Sequence, residues 1–129
     1  MNHIAITSFP RSGSSYLRKY VEQVSGITTG SSLPMHTATS LQLLGMKGEG
    51  VTDDRVWVIK SHHPLKIPQS AEFKSSKTVV CIRNPLDVLI SYANCLNTFS
   101  HDNKLAFDVN DKFPEWWSSF VKAETIRMK

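Results

Sequence analysis

The fold is decided by residues 3–26, HIAITSFPRSGSSYLRKYVEQVSG. Residues 3–7 are an apolar run rich in β-branched side chains, and a Ser-Phe-Pro sequence closes it, which predicts a buried strand that ends in a loop. Over residues 16–24 the apolar side chains recur at helical spacing, and this stripe stops at Gly26. The sequence therefore predicts a strand, a loop of small residues and a helix that follow one another without a gap.

The same alternation continues along the chain. Residues 56–59 and 78–82 are two further strand candidates, and each is followed by polar residues and a proline. The connection 27–54 is rich in Thr, Ser and Gly, so we expect it to be loop-like and mobile in part. Further helical patterns occupy residues 40–45, 87–96 and 114–129. Strands that alternate with helices predict an α/β fold with a parallel sheet.

The composition excludes several classes of protein. The 129 residues, 40% of them hydrophobic, suit one compact domain. The net charge of +4 favours an anionic small molecule and is too sparse for nucleic acid. No apolar run approaches the roughly 18 residues of a membrane segment, and no signal peptide or anchor is visible, so we expect a cytoplasmic protein. Cys81 and Cys95 lack metal-ligand spacing, and we expect free thiols and no metal.

Three polar clusters fall at the carboxyl ends of the predicted strands, where parallel α/β sheets bind their ligands. The first, residues 10–15 (PRSGSS), brings a glycine and three hydroxyls to a strand-to-helix turn, so backbone N–H groups and the helix dipole would face a phosphate. Arg11 adds a charge with bidentate geometry. The Gly-x-x-x-x-Gly-Lys-Ser/Thr pattern of nucleoside triphosphatases is missing. The alternative for this cluster is a plain serine-rich helix cap.

The second cluster is Lys60-Ser61-His62-His63. A histidine at this place can accept a proton from a hydroxyl, while Lys60 can stabilise charge on a leaving oxygen. Adjacent side chains on an extended segment point in opposite directions, so we expect at most one of the two histidines to face a ligand. The alternative for each histidine is a surface or capping role.

The third cluster begins at Arg83. Arg83 and Ser91, eight residues apart, bracket a strand-to-helix turn and can hold a second phosphate by charge and hydrogen bond. Alternatively, Ser91 bonds back to its own helical turn and Asp87 caps the helix. We expect core packing rather than a stacking platform from three aromatic residues of the last helix, Trp116, Trp117 and Phe120.

In their order, spacing and context, the three clusters resemble the sulfotransferase family, whose members use 3'-phosphoadenosine 5'-phosphosulfate as sulfuryl donor. Residues 8–17 resemble the family's 5'-phosphosulfate loop, residues 60–64 its Lys-Thr-His-x-Pro segment, and residues 83–92 its 3'-phosphate motif. Residues 26–32 and 116–124 are also similar to a sulfotransferase branch related to proteins that bear a WSC domain. The resemblance implies a P-loop-like, three-layer α/β/α domain.

The resemblance also implies a role for each matched residue. His62 would be the general base, Lys60 would support the bridging oxygen, and Arg83 and Ser91 would hold the 3'-phosphate. Arg11 stands where many cytosolic members direct a lysine at the leaving oxygen. The residues implied to wrap the 5'-phosphosulfate are Arg11, Ser12, Gly13, Ser14, Ser15 and Tyr16. The reaction would be in-line attack on sulfur by an acceptor hydroxyl or amine, and it would need no metal.

The resemblance covers nearly the whole chain, which ends at Lys129, before the family's Gly-rich basic motif. We therefore expect a single domain over residues 1–129 that corresponds to the N-terminal part of a sulfotransferase domain. A partner could then bind to the surface against which the missing C-terminal part of the domain would pack. The acceptor, whether a small molecule, a carbohydrate or a protein, is not indicated. The alternatives are a truncated, non-catalytic binding module and a P-loop nucleotide-binding or kinase-like protein, which would need a Walker-type lysine and a magnesium carboxylate.

Overall fold

The computed structural model describes residues 2–34, 39–65, 67–100 and 103–128. The chain divides into two compact units, Met1–Ile82 and Arg83–Lys129. Each unit has its own secondary structure and its own buried residues. The expectation of one domain over the whole chain stays a prediction. Within the described residues, no helix is long and apolar enough to cross a membrane.

The first unit is a parallel sheet with helices in its connections. Its elements are β1 (His3–Ser8), α1 (Ser14–Ser25), β2 (Gly30–Ser31), α2 (Thr39–Leu43), β3 (Val58–His62) and β4 (Ser75–Cys81). The four strands are hydrogen-bonded in the order β2-β3-β1-β4, and every pair is parallel. This arrangement confirms the predicted α/β fold with a parallel sheet.

Strands β1 and β3 form the interior of this sheet. Ala5 and Ile6 of β1 are buried, as are Val58 and Ile59 of β3, and α1 packs against both strands. Full burial of a large aliphatic side chain stabilises a fold by about 1.5–3 kcal/mol. The two strands therefore give firm support to the polar residues at their carboxyl ends.

Two strands differ from what the sequence predicts. The apolar pattern predicts a strand over residues 56–59, whereas β3 runs on to His62, because it stays in register with β1 until His62 lies opposite Ser8. Lys60 and His62 thus lie on the strand and not after it. The pattern also gives all strands the same apolar character, whereas β4 is exposed along almost its whole length. Strand β4 lies at one edge of the sheet and pairs with β1 alone, but β2 at the other edge is buried, so the edge position by itself does not explain the exposure of β4.

The buried face of α1 is polar, although its apolar stripe correctly predicts a helix. Ser14 and Arg18 are buried, whereas Tyr16, Tyr20 and Val24 of the stripe are exposed. Residues four apart share one face of a helix, so one row of polar side chains faces the sheet. This inversion is possible only because those side chains find hydrogen-bond partners inside the unit.

The connection 27–54 is not simply the loop that its composition predicts. It contains β2, which pairs in parallel with β3. A Cβ added at Gly30 would lie 2.2 Å from a backbone oxygen, and one added at Gly48 would lie 2.0 Å from the Thr29 carbonyl oxygen. The glycines that suggest a loose loop therefore allow two stretches of backbone to pack closely.

The second unit is helical. It consists of α3 (Pro85–Thr98), α4 (Val109–Lys112) and α5 (Pro114–Arg127). Helices α3 and α5 confirm the predicted helices 87–96 and 114–129, of which Lys129 lies outside the described residues. A four-residue helix such as α4 carries no periodic pattern, so the sequence does not predict it. The cap of α3 is Asn84, whose side chain accepts a hydrogen bond from the Leu86 N–H at 3.0 Å, and the assignment of the cap to Asp87 is wrong.

The core of the second unit lies between α3 and α5. Leu89, Ala93 and Phe120 form a buried cluster, and Trp117 packs against it. Trp116 stacks on Phe120, with ring centroids 5.0 Å apart, and is itself partly exposed. The prediction that these aromatic residues pack in a core is confirmed most clearly for Phe120 and Trp117.

Candidate functional site

The order of the strands places a crevice between β1 and β3. Strand β1 leads through α1 to β2 on one side, whereas β3 leads to β4 on the other. Adjacent parallel strands whose connections leave in opposite directions form a switch point, and open α/β sheets bind ligands outside the carboxyl ends of the strands there. Ser8 and His62, the last residues of β1 and β3, lie opposite each other. Two of the three polar clusters therefore meet at this crevice.

The connection from β1 to α1, residues 9–13, turns sharply at the crevice. Arg11 and Gly13 have positive φ angles of 70° and 94°, and the Ser12 N–H donates to the Phe9 carbonyl at 3.3 Å. Left-handed residues in such a loop turn successive backbone N–H groups towards one concave side, which favours anions. The N–H groups of the first turn of α1, which have no partner within the helix, add to this preference.

The serines of this loop do not cap the helix. The N-cap residue is Gly13, and no side chain accepts a hydrogen bond there, so the serine-cap alternative is wrong. Instead the Ser8 hydroxyl donates to the Ser14 hydroxyl at 2.9 Å. The Ser15 hydroxyl accepts a hydrogen bond from the Lys60 ammonium at 2.8 Å. The hydroxyls therefore tie the start of α1 to both β1 and β3.

Lys60 is a buried cation on β3, two residues before the carboxyl end of the strand. Its exposed fraction is only 3%. Burial lowers the pKa of Lys60 to about 8, the charge of Glu49 acts in the opposite direction, and the charges of Arg18 and Arg11 lower the pKa further. An ammonium group held among other cations is stabilised by an incoming anion, because the anion supplies the missing negative charge.

His62 stands at the end of β3 with its ring orientation fixed. Its Nδ1 lies 3.1 Å from the Ser8 carbonyl oxygen, which can only accept, so Nδ1 carries the proton in the neutral ring. Nε2 then carries the lone pair, as a general base requires. His63 is exposed, and its backbone N–H donates to the same carbonyl at 3.1 Å. Of the two adjacent histidines, His62 is the one that the strand holds in place.

The remaining predicted site residues lie on the outside of α1 and in the second unit. Tyr16, in the first turn of α1, is 78% exposed. Arg83 opens the second unit and is exposed, and Ser91 lies half-buried on α3. The structure thus brings the loop together with Lys60 and His62. The convergence of Arg83 and Ser91 on the same crevice stays a prediction.

A buried polar cluster beneath the loop is not predicted by the sequence. Arg18 and Glu49 form an ion pair, and both side chains are fully buried. Arg18 also donates to the Thr29 hydroxyl and carbonyl, each at 2.9 Å. Glu22 accepts from the Thr29 N–H at 2.9 Å and from its hydroxyl at 2.8 Å. The available signal is the i, i+4 spacing of Ser14, Arg18 and Glu22, which marks one polar face.

No group of His, Cys, Asp and Glu side chains in the described part of the chain could hold a metal ion. Both cysteines are free thiols. Arg11 and Lys60 bring two cations to the crevice and His62 brings an imidazole, in the setting of the loop's backbone N–H groups. Such a set can hold a phosphate or sulfate group and can accept a proton beside it.

A family model described as a sulfotransferase domain matches residues 1–127. The chain belongs to the sulfotransferase family. This sulfotransferase chain is 31% identical over 121 residues to the WSCD family member CG9164 of Drosophila melanogaster, a match that covers 91% of the chain and 35% of the relative. It is 27% identical over 122 residues to the WSCD family member AAEL009094 of Aedes aegypti, covering 92% of the chain and 35% of that relative.

The sulfotransferase chain spans about a third of the length of the curated relatives that it matches. Both relatives confirm the WSC-related branch that residues 26–32 and 116–124 indicate. No solved structure gives a significant match.

Proposed function

We propose that the chain binds 3'-phosphoadenosine 5'-phosphosulfate and takes part in the transfer of its sulfuryl group to a hydroxyl or amine. The observation that carries this proposal is the buried Lys60 ammonium, which donates to Ser15 at the start of α1 at 2.8 Å. It puts a positive charge directly behind a loop whose backbone favours anions. Membership of the sulfotransferase family supports the choice of a phosphosulfate over other anions.

The loop between β1 and α1 holds the 5'-phosphosulfate in this proposal. Backbone N–H groups of residues 13–16 and the serine hydroxyls would donate to its oxygens, while Arg11 adds a charge-assisted contact. Arg83 and Ser91 would hold the 3'-phosphate. Because these cations and amides balance the charge that develops on transfer, the proposal includes no metal ion.

His62 is the base of the proposed transfer. Nε2 takes the proton of the acceptor hydroxyl or amine as the acceptor atom forms its bond to sulfur. The bond between sulfur and the bridging phosphate oxygen breaks in line, and its electron pair leaves with adenosine 3',5'-bisphosphate. Lys60 stabilises the negative charge on that oxygen. The acceptor is a small molecule, a carbohydrate or a protein.

Calorimetric titration with adenosine 3',5'-bisphosphate tests the donor site, with ATP as the control ligand. We expect binding of the bisphosphate in preference to ATP, and a loss of affinity in Arg83→Ala. The matched control is Arg55→Ala, because Arg55 is an exposed arginine that precedes β3, away from its carboxyl end, and pairs with Asp53. That variant should bind as the wild type does.

Other outcomes of the titration favour other functions. A preference for ATP would indicate a P-loop nucleotide-binding protein. A folded chain that binds neither ligand would contradict the proposal and favour a non-catalytic sulfotransferase-like module. Bisphosphate binding that is equally weakened in Arg55→Ala would show non-specific attraction to positive charge rather than a site.

A further inference from the structure

The polar cluster of Arg18, Glu22, Thr29 and Glu49, of which all but Glu22 are buried, is connected to the crevice through α1 and β2. Arg18 lies one helical turn beyond Ser14 and Ser15 on α1. Thr29, which Arg18 and Glu22 hold, directly precedes β2. A displacement of Arg18 would therefore move both the start of α1 and the start of β2.

Strand β2 completes this circuit at Lys60. Ser31 lies opposite Lys60 in the β2-β3 pair, and the Ser32 N–H donates to the Lys60 carbonyl at 2.8 Å. The Lys60 side chain then returns to α1 through its hydrogen bond to Ser15. Helix α1, the residues beside β2 and Lys60 thus form one closed ring of polar contacts.

Glu49 enters the ring from a separate segment of the chain. The missing side chain of Gly48 allows that segment to approach the Thr29 carbonyl closely, and Glu49 pairs with Arg18 in full burial. Its Oε2 atom accepts no hydrogen bond from any residue that the structure describes. A second oxygen left in this state is costly, so anchoring Arg18 does not by itself explain why a full carboxylate is present.

The charges that act on Lys60 give a better explanation of why residue 49 is a carboxylate. Arg11 of the loop and Arg18 of α1 both disfavour the Lys60 ammonium, and Glu49 is the acid that favours it. His62, two residues further along β3, lies on the same face of the strand as Lys60. Removal of the Glu49 charge would leave the buried Lys60 ammonium under the unfavourable charges of Arg11 and Arg18 alone.

We propose that Glu49 is a positioning residue of the donor site, which neutralises Arg18 beneath the loop and thereby keeps the Lys60 ammonium hydrogen-bonded to Ser15. The link from Lys60 to phosphosulfate rests on the proposed function. The link from Glu49 to Lys60 does not, because it concerns the protein without any ligand.

The test is an NMR titration of the free chain with lysine labelled at the ε carbon, in which Lys60→Met identifies the Lys60 signal. In Glu49→Gln the titration midpoint of Lys60 should fall by about one pH unit, because an opposite charge has been removed. In Arg18→Gln it should rise, because a like charge has been removed. The matched control is Asp53→Asn, which removes an exposed carboxylate that pairs with Arg55 and does not act on Lys60, and it should leave the midpoint unchanged.

The direction in which the Lys60 midpoint shifts distinguishes this role from a merely structural one. If Glu49 only held the fold together, its loss would let water reach Lys60 and the midpoint would rise in both variants. A midpoint that stays or rises in Glu49→Gln therefore overturns the inference. Where Glu49→Gln does not fold, the double variant Arg18→Gln with Glu49→Gln leaves no unpaired charge. Its midpoint should lie below that of Arg18→Gln, because the two variants differ only in the favourable charge of Glu49, and a midpoint at or above that of Arg18→Gln refutes the inference.

Titration with adenosine 3',5'-bisphosphate as a function of pH then connects the inference to the donor site. Wild-type affinity should fall as pH rises through the Lys60 midpoint, and in Glu49→Gln the fall should begin at lower pH. A wild-type chain that does not bind the bisphosphate would refute the proposed function, while the NMR midpoints would still decide the role of Glu49. Binding by the wild type with the same pH dependence in Glu49→Gln would overturn the inference and leave the proposed function standing.

Discussion

Replacement of Lys60 by methionine should stabilise the protein at neutral pH and weaken its binding of adenosine 3',5'-bisphosphate. Burial lowers the pKa of Lys60 from 10.5 to about 8. Between the folded and the unfolded chain, a difference of that size corresponds to a cost of about 3 kcal/mol for a buried ammonium at neutral pH. The lost hydrogen bond from this ammonium to Ser15 offsets about 2 kcal/mol of this, because hydrogen bonds to charged groups contribute about 1.5–3 kcal/mol. We therefore expect Lys60→Met to raise the free energy of unfolding by about 1 kcal/mol.

The gain in stability of Lys60→Met over the wild type should decrease as the pH rises. The folded chain releases the Lys60 proton near pH 8, whereas the unfolded chain releases it near the ordinary lysine pKa of 10.5. Between these two values the unfolded state binds more protons, so the stability of the wild type rises with pH. The advantage of Lys60→Met should therefore be greatest below pH 8 and should shrink as the pH approaches 10.5.

Urea unfolding of both proteins at about pH 7 and about pH 9.5 measures this difference. Lys77→Met is the control, since Lys77 is an exposed lysine on β4, and it should show no comparable change with pH. The reasoning is refuted if Lys60→Met is less stable than the wild type at neutral pH, or if the difference does not change with pH. In calorimetry the same variant should lose about 1.5–3 kcal/mol of bisphosphate binding, since a charged hydrogen bond is removed.

Three further predictions concern other parts of the chain. Arg83→Ala should weaken bisphosphate binding by about 1.5–3 kcal/mol, roughly 10- to 150-fold, and unchanged affinity in calorimetry would contradict the 3'-phosphate assignment. His62→Ala should leave bisphosphate affinity intact and abolish transfer of labelled sulfate from the donor to a panel of acceptors, because the base acts in the transition state. Retained transfer would show that another residue is the base, and His63 would be the next residue to replace. Gly48→Ala should lower the free energy of unfolding by about 3 kcal/mol because its Cβ meets backbone. Gly26→Ala, in open space at a φ of 71°, should cost only about 1 kcal/mol, and equal losses in urea unfolding would contradict the close packing at Gly48.

The sequence predicts the parts of the fold that depend on local patterns. The sequence pattern predicts β1 from its apolar run, the loop from the small residues after it, and α1 from its helical period. It also predicts the parallel sheet, because strands alternate with helices. The strand β2 is not predicted, because two residues, one of them a glycine, show no periodic pattern. The buried face of α1 is not either, because Arg18 is buried only through partners such as Glu49, 31 residues away, and no periodicity reports such a partner.

The candidate site divides in the same way. Arg11, Lys60 and His62 are predicted from residue type and position at strand ends, and the structure brings the loop, the lysine and the histidine together. The contacts that define their chemistry are not predicted, since the Lys60 bond to Ser15 joins residues 45 apart. The apolar pattern of β3 ends at Ile59, before the strand itself ends at His62, so the pattern does not show that Lys60 lies on a strand between β1 and β2.

The position of Lys60 on an interior strand destabilises the folded chain and also strengthens the effect of the Lys60 charge on a bound anion. A lysine at the end of a loop would stay hydrated and would contribute only a screened attraction to a phosphosulfate. On β3, Lys60 is almost fully desolvated, so the same charge acts in a medium of low polarity, where it stabilises a developing negative charge more strongly. In the folded chain the charge of Glu49 favours this ammonium. A site of this kind is therefore destabilising when empty, and its stability should increase when adenosine 3',5'-bisphosphate binds, by an amount that thermal unfolding at increasing ligand concentration would measure.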